Sequence, residues 1–221
     1  MSLEEKIKAQ GFDISEKTAC VIGCGGLGTV ISVHLAGAGI KKLYLCDFDK
    51  VESSNLNRQF LYCREDIGKT KCEDMKAALE KYSSFSSYVC IDKKIKGEAD
   101  LSFAKDCDII FSAVDNHETV KILEDFSTRN NIPLVCGGID GFYGMAYLYL
   151  PGETAPPSYA GFSGGEKAKF NIGSTAGIIG SFQASLAIRY LITKDKSLGG
   201  RLLIFDEKQT ETLKINYEVK P

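Results

Sequence analysis

The sequence predicts an α/β protein: a doubly wound, mostly parallel sheet with a C-terminal antiparallel extension and a long crossover loop. Three observations carry this prediction. Short apolar runs alternate with helix-period segments through roughly the first 140 residues. The first such run leads directly into Gly23-Cys-Gly25-Gly26-Leu-Gly28, a strand-to-helix turn of the Gly-x-Gly-x-x-Gly kind. After Gly138 the alternation stops, leaving a strand without a following helix, a Pro/Gly/Ser-rich loop, one long apolar helix and two late strands. The first part is therefore a Rossmann-like core.

Element by element, Ala19 to Gly23 is a short strand running into the glycine turn. Leu27 to Ala38 carries apolar residues at helical spacing and stops at Gly39. Lys42 to Cys46 is the second strand, with Asp47 and Asp49 at its carboxyl end. Lys69 to Tyr82 reads as a helix, Tyr88 to Ile95 as a strand, and Cys107 to Ala113 as a strand that delivers Asp115. His117 to Asn130 is helical and Pro133 to Gly137 is a buried strand. Phe142 to Leu150 is a further strand, and Pro151 to Gly173 is a loop. A loop that long inside a compact domain is usually functional or disordered. Ser174 to Thr193 is an apolar helix with small residues fit for close packing (Ala176, Gly177, Gly180, Ala184). Arg201 to Phe205 and Thr212 to Tyr217 read as a closing antiparallel pair. With no repeat and no linker, residues 1–221 read as a single domain. It has an N-terminal segment (1–18), a nucleotide-binding core (19–150), a crossover loop (151–173) and a C-terminal helix with strands (174–221).

Composition narrows the function classes. The 221 residues are 44% apolar and 25% charged, as in a globular protein with a sizeable core. A net charge of -2 with no basic run argues against nucleic acid as a partner. No apolar run approaches the ~18 residues that span a bilayer, and the Met-Ser-Leu-Glu-Glu-Lys start lacks the features of a signal peptide. The eight cysteines include no Cys-x-x-Cys, and most lie in apolar runs, so they read as buried free thiols of a cytoplasmic protein.

The glycine pattern by itself leaves a nucleotide site and plain turn chemistry both open. In the first reading Gly23 makes the turn, Gly25 lets phosphate approach the backbone, and Gly28 lets helix pack on strand. Helix N–H groups add anion-binding power. Asp47 stands 19 positions after Gly28, where a carboxylate can accept both ribose hydroxyls. Beyond it, Asp49 and Asn55-Leu-Asn57-Arg58-Gln59 supply polar groups that a redox dinucleotide does not require. Arg58 can fork onto phosphate oxygens, Asn55 can donate its amide, and Lys71 opens a helix as another positive contact. Asp115 lies on the same carboxyl edge, a natural Mg²⁺ ligand alongside phosphate oxygens. Singly, each acid or lysine is as well explained by a solvated strand end; their arrival on one sheet edge carries the reading. Of the histidines, His34 reads as a packing or surface residue, and His117 is open to either role.

These segments resemble the ThiF/MoeB/HesA family, the bacterial relatives of ubiquitin-activating enzymes. The resemblance runs from roughly Ala19 to Tyr217 through Gly23-x-Gly-Gly26-x-Gly28, Asp47-x-Asp49, Asn55-Leu-Asn-Arg58-Gln59, Gly68-Lys-x-Lys71 and Asp115-Asn116. It implies an ATP- and Mg²⁺-dependent adenylyltransferase. The substrate would be the C-terminal glycine carboxylate of a small ubiquitin-like sulfur carrier ending in Gly-Gly, in thiamine, molybdopterin or related sulfur metabolism. By position Asp47 matches the ribose-binding acid, while Asn55, Arg58 and Lys71 match phosphate ligands. Asp115 matches the magnesium ligand, Gly26 a backbone contact to nucleotide, and Gln59 a support of the arginine loop. The resemblance also implies a homodimer.

Three departures stand out. The region around Pro157 to Ala160 and everything after Cys136 lack the paired cysteines of a structural zinc site, so no zinc is expected. The same loop offers no cysteine for a covalent thioester or persulfide step. Residues 1–18 contain no arginine, and an arginine usual after the Asp-Asn pair is Val120 here. Two alternatives stay open: an NAD-dependent oxidoreductase, which leaves Arg58, Lys71 and Asp115 without a task, and a non-catalytic nucleotide-binding relative. A related class that dehydrates a modified tRNA base shares the core motifs, but the nearly balanced charge gives it little support.

Overall fold

The computed structural model describes residues 9, 11, 13–162, 170–206 and 208–215. Its strands are β1 (Thr18–Ile22), β2 (Lys42–Cys46), β3 (Ser87–Ile91), β4 (Ile109–Ser112), β5 (Leu134–Asp140), β6 (Tyr143–Tyr149), β7 (Arg201–Asp206) and β8 (Gln209–Lys214). Between Gly25 and Lys194 run the α-helices α1 (Gly26–Gly37), α2 (Lys71–Tyr82), α3 (His117–Asn130) and α4 (Gly173–Thr193). The strands form one sheet in the order β3-β2-β1-β4-β5-β6-β7-β8. From β3 to β5 all neighbours are parallel, and from β5 to β8 all are antiparallel. The predicted core and antiparallel extension are both present.

Side chains alternate across the pleat with period two, and both faces are covered. On one face Val21, Leu43, Phe111 and Val135 pack against Ile31 and Leu35 of α1, Met75 and Leu79 of α2, and Ile179 of α4. On the other, Cys20, Ile110, Leu134 and Tyr147 meet Leu101 and the α3 residues Leu123 and Phe126. Burial on both faces explains why these strands read as continuous apolar runs. The helix α4 buries Ala176, Gly180 and Ala184, and Gly180 lies against Val30 of α1.

Several boundaries differ from the sequence reading. The helix α2 begins at Lys71 rather than Lys69, because Lys50 bridges to Thr70 and holds that residue extended. β3 ends at Ile91 rather than Ile95; beyond it the Lys96 N–H turns onto the Asp100 carboxylate at 2.9 Å. β5 continues to Asp140 because β6 pairs with it along its whole length. β8 starts at Gln209, three residues early, and the expected end at Tyr217 lies outside the described residues. The crossover loop contains a short 3-10 turn at Pro157–Ala160, while residues 163–169 lie outside the description.

The reading of every cysteine as a free thiol needs correction. Cys72 on α2 and Cys90 on β3 are disulfide-bonded, with Cα atoms 5.3 Å apart. The two lie 18 residues apart in sequence, a spacing that resembles no pairing motif; the α2–β3 crossover brings them together. Cys20, Cys24, Cys46, Cys63, Cys107 and Cys136 are free, and of these only Cys63 is exposed. Among the described residues no helix is long and apolar enough to cross a membrane.

Candidate active site

In a sheet ordered 3-2-1-4-5, β1 and β4 run parallel but the order in which strands are added reverses between them, and at such a switch point a crevice opens outside the carboxyl ends of the strands. The glycine turn fills one wall of it. Gly23 takes φ +99°, and a Cβ there would stand 2.4 Å from the Ala113 carbonyl oxygen after β4. A Cβ on Gly28 would stand 1.9 Å from the Gly23 oxygen, so the turn can fold over itself only without side chains. The helix α1 then begins with Gly25 as N-cap and no side-chain cap, leaving its first N–H groups to an outside acceptor.

Asp47 is clamped to this turn. Its Oδ2 accepts the Cys24 N–H at 2.7 Å and its Oδ1 the Asp49 N–H at 2.8 Å. Burial raises the carboxyl above its ordinary range; the two N–H groups and Lys71 pull the other way. Asp49 reaches Lys71 instead: Nζ donates to Oδ2 at 3.0 Å. The Lys71 N–H also donates to the Asp49 carbonyl at 2.9 Å. Only 9% of the Lys71 side chain is exposed, against 51% for Asp49, so the cation is inside and its counterion at the surface. Lys69, by contrast, is an exposed residue paired with Asp66.

The Asn-Leu-Asn-Arg-Gln segment folds across the glycines. The Gly26 Cβ position lies 3.5 Å from Arg58 Cγ and 3.3 Å from Ala176 Cβ of α4, which places the arginine loop between turn and helix. Arg58 Nη1 donates to the Ser54 carbonyl at 3.0 Å and to Asn57 Oδ1 at 2.8 Å. Both acceptors are neutral, so they orient the guanidinium without cancelling its charge. Asn55 is buried and closes its own 3-10 turn: its Oδ1 accepts the Glu52 N–H at 3.2 Å. Gln59 is buried beside Gly25, with Nε2 3.6 Å from that residue's Cβ position. The Asn57 amide donates to the Asn171 carbonyl at 3.0 Å, joining this segment to the entry of α4.

Asp115 is exposed on the loop after β4, just past the Ala113 carbonyl that abuts Gly23. The following Asn116 caps α3 by accepting the Thr119 N–H at 2.9 Å. His117 turns to the crossover loop, its Nδ1 2.9 Å from the Phe162 carbonyl oxygen, and His34 pairs with Ser181 at 2.9 Å. Val120 is packed in the apolar cluster under α3. The 3-10 turn of the loop is held by a carboxylate of α3: Glu124 accepts the Ser158 N–H at 2.8 Å and its hydroxyl at 3.1 Å. Among the described residues no group of three or more His, Cys, Asp or Glu side chains is placed to hold a metal ion.

The structure therefore joins Gly23, Gly25, Gly26, Gly28, Asp47, Arg58 and Gln59 directly, brings in Lys71 through Asp49, and places Asp115 on the adjoining loop. Sequence reasoning missed Tyr62. Its hydroxyl donates to the Cys24 carbonyl at 2.8 Å and to the Lys71 carbonyl at 3.1 Å. The available signal was its position four residues past Arg58, in the same segment.

Comparison with known proteins gives the family of the chain. The ThiF family profile matches residues 4–220. The chain is 32% identical over 213 residues to the molybdopterin-synthase adenylyltransferase of Haemophilus influenzae, covering 90% of this chain and 86% of that protein. It is 31% identical over 215 residues to adenylyltransferase and sulfurtransferase MOCS3 of Anopheles gambiae, covering 93% of this chain and 48% of that protein. The chain thus spans about half the length of the MOCS3 relatives it matches. Among solved structures, E. coli MccB with ATP superposes with a TM-score of 0.83 at 23% identity, over 95% of this chain and 67% of that one. PaaA superposes at 0.80 with 22% identity, over 96% and 68%. At such identities the structural likeness speaks for the fold alone; the profile and the Haemophilus relative speak for descent. The chain belongs to the ThiF family.

Proposed function

We propose that this chain binds ATP and transfers its adenylyl group to the C-terminal glycine carboxylate of a small ubiquitin-like sulfur carrier ending in Gly-Gly. The carboxylate oxygen bonds to the α-phosphorus and pyrophosphate leaves. The observation that carries the reading is the contiguous set of glycine turn, Asp47, Arg58 and Lys71 at the switch point of the sheet. Family membership and relatives named as adenylyltransferases support it.

Each group has a task in that reaction. Asp47, held by two N–H groups, receives the ribose hydroxyls. The turn at Gly25 and Gly26 presents backbone N–H groups to phosphate. Arg58 and Lys71 offset the repulsion between an anionic nucleophile and the triphosphate, and stabilise the charge of the transition state. Asn55 and Gln59 shape the arginine loop, and Asp49 keeps the Lys71 ammonium in place until phosphate replaces it. No general base is required, because the attacking carboxylate is already ionised at neutral pH.

Mg²⁺ keeps most of its waters and binds through one or two carboxylates and phosphate oxygens, which an exposed carboxylate beside the glycine turn can supply. Asp115 would hold that ion, which neutralises phosphate charge when it is bound. Residues 151–173 contain no cysteine, so activation ends at the acyl-adenylate and another protein supplies sulfur. The relatives' names favour a molybdopterin-type carrier, with thiamine or related sulfur pathways as the other settings. We place the reaction in the cytoplasm, on the six cysteines that stay free thiols, with the Cys72–Cys90 bridge as the observation that weighs against it.

The active form is a symmetric homodimer in this reading, supported by Ile178 and Phe182, which stand one turn apart on α4 and remain 44% and 40% exposed. Sedimentation at tens of micromolar tests it, and a monomer counts against it. The function itself is tested by exchange of labelled pyrophosphate into ATP across a panel of carriers ending in Gly-Gly. Exchange that depends on a carrier is expected. Binding of NADH in place of ATP–Mg²⁺ would return the oxidoreductase reading.

A further inference from the structure

We propose that Tyr62 is a positioning residue: its single phenolic proton, shared between the Cys24 and Lys71 carbonyls, keeps the Gly25 N–H turned toward the nucleotide phosphates. The inference rests on the nucleotide site argued above.

The Cys24 residue is held from both sides. Its N–H goes to Asp47 Oδ2 at 2.7 Å, and its carbonyl receives the Tyr62 hydroxyl at 2.8 Å. A trans peptide is planar, with its C=O and the next residue's N–H pointing in opposite directions. Turning the Cys24 carbonyl inward, to a buried tyrosine, therefore turns the Gly25 N–H outward. That N–H belongs to the N-cap of α1 and has no acceptor of its own within the helix. It is one of the groups on which an anion would sit.

Glycine makes such a device necessary. The residue that lets phosphate come close to the backbone has no Cβ to restrain rotation of its peptide. Without a donor on the Cys24 carbonyl, the Cys24–Gly25 peptide can turn over and present an oxygen where a phosphate needs an N–H. Tyr62 supplies the restraint through a short bond from a rigid, 7%-exposed ring.

The same hydroxyl lies 3.1 Å from the Lys71 carbonyl. Lys71 is thus fixed at its carbonyl by Tyr62, at its N–H by the Asp49 carbonyl, and at its ammonium by the Asp49 carboxylate. One oxygen atom ties the neutral phosphate donor of the turn to the cation on α2. Burial drives the phenol's acidity far below that of a free tyrosine, so the proton stays on the oxygen across the working pH range.

Tyr62→Phe removes this proton and keeps the ring in its packing. Calorimetric titration of both proteins with ATP–Mg²⁺ and with adenosine separates positioning from general support, because adenosine carries base and ribose but no phosphate. In Tyr62→Phe the affinity for ATP–Mg²⁺ is expected to fall about tenfold, the worth of roughly one hydrogen bond. Adenosine affinity should stay within about twofold, and the melting temperature within about 4 °C. Unchanged ATP affinity, or equal loss for both ligands, overturns the proposal. If the Phe variant does not fold, Tyr62→His retains a ring donor; ATP affinity within about threefold of wild type supports the role, and any larger loss overturns it. A wild-type protein that binds adenosine and ATP–Mg²⁺ equally, or neither, overturns the nucleotide site itself.

Discussion

Lys71 and Asp49 form the ion pair that holds the cationic side of the site, with Nζ and Oδ2 3.0 Å apart. The partners are unequal, because the lysine is buried and the aspartate half in water. Burying a lone ammonium is costly, whereas an exposed carboxylate leaves its partner easily. In the proposed reaction Asp49 works as a removable counterion, and the negative group expected to replace it is a phosphate.

Substitution of the charged groups should separate chemistry from folding. Arg58→Ala and Asp115→Ala are each expected to lower carrier-dependent pyrophosphate exchange at least ~100-fold, since loss of one transition-state donor commonly costs ~3 kcal/mol. Lys71→Met should do the same and leave the protein folded, because an apolar chain replaces a buried stem. Wild-type exchange rates in these variants would remove the residues from the mechanism.

The glycines of the turn should not behave alike. Gly28→Ala places a methyl 1.9 Å from a backbone oxygen and is expected to destabilise the fold by more than ~3 kcal/mol. Gly25 has φ -87°, and its Cβ position is 3.6 Å from Gln59 Nε2, a tolerable contact. Gly25→Ala should then keep the urea midpoint while weakening ATP binding severalfold. Equal stability losses in the two variants would contradict the geometry.

Stability should depend on pH through Asp47. Its folded carboxyl is raised by burial, so the folded state binds a proton more tightly than the unfolded state. Between the ordinary carboxylate range and the raised value, unfolding therefore releases a proton, and stability falls as pH rises. Asp47→Asn lacks this term. As pH rises from about 4, the ordinary carboxylate range, through the raised value the variant should gain on wild type in denaturant melts; a difference that is flat or opposite in slope there would refute the assignment.

Zinc is the remaining prediction. Elemental analysis of protein purified without chelator should find well under one zinc per chain, and chelator should leave the melting temperature unchanged. The short turn of the crossover loop is anchored by Glu124 on Ser158, so Glu124→Ala is expected to loosen it and raise protease cleavage near Pro157. Stoichiometric zinc, lost together with stability, would overturn the alignment of this loop.

The linear pattern by itself determined the strand–helix alternation, the glycine turn, Asp47 at the end of β2, and the exact spans of β2 and α3. Those features are local: side-chain periodicity, turn chemistry and the register of a motif repeat from residue to residue. Tertiary structure decided which strands lie side by side, the start of α2 at Lys71, and the continuation of β5 to Asp140. Each of these depends on pairing with another strand or bridge, near in sequence for β5 with β6 and distant for the rest. The joining of Cys72 to Cys90 and the double contact of Tyr62 also arise only in three dimensions. A tyrosine four places past an arginine looks like any core aromatic. Only when the turn after β1 and the start of α2 come together do the Cys24 and Lys71 carbonyls come within reach of its one proton.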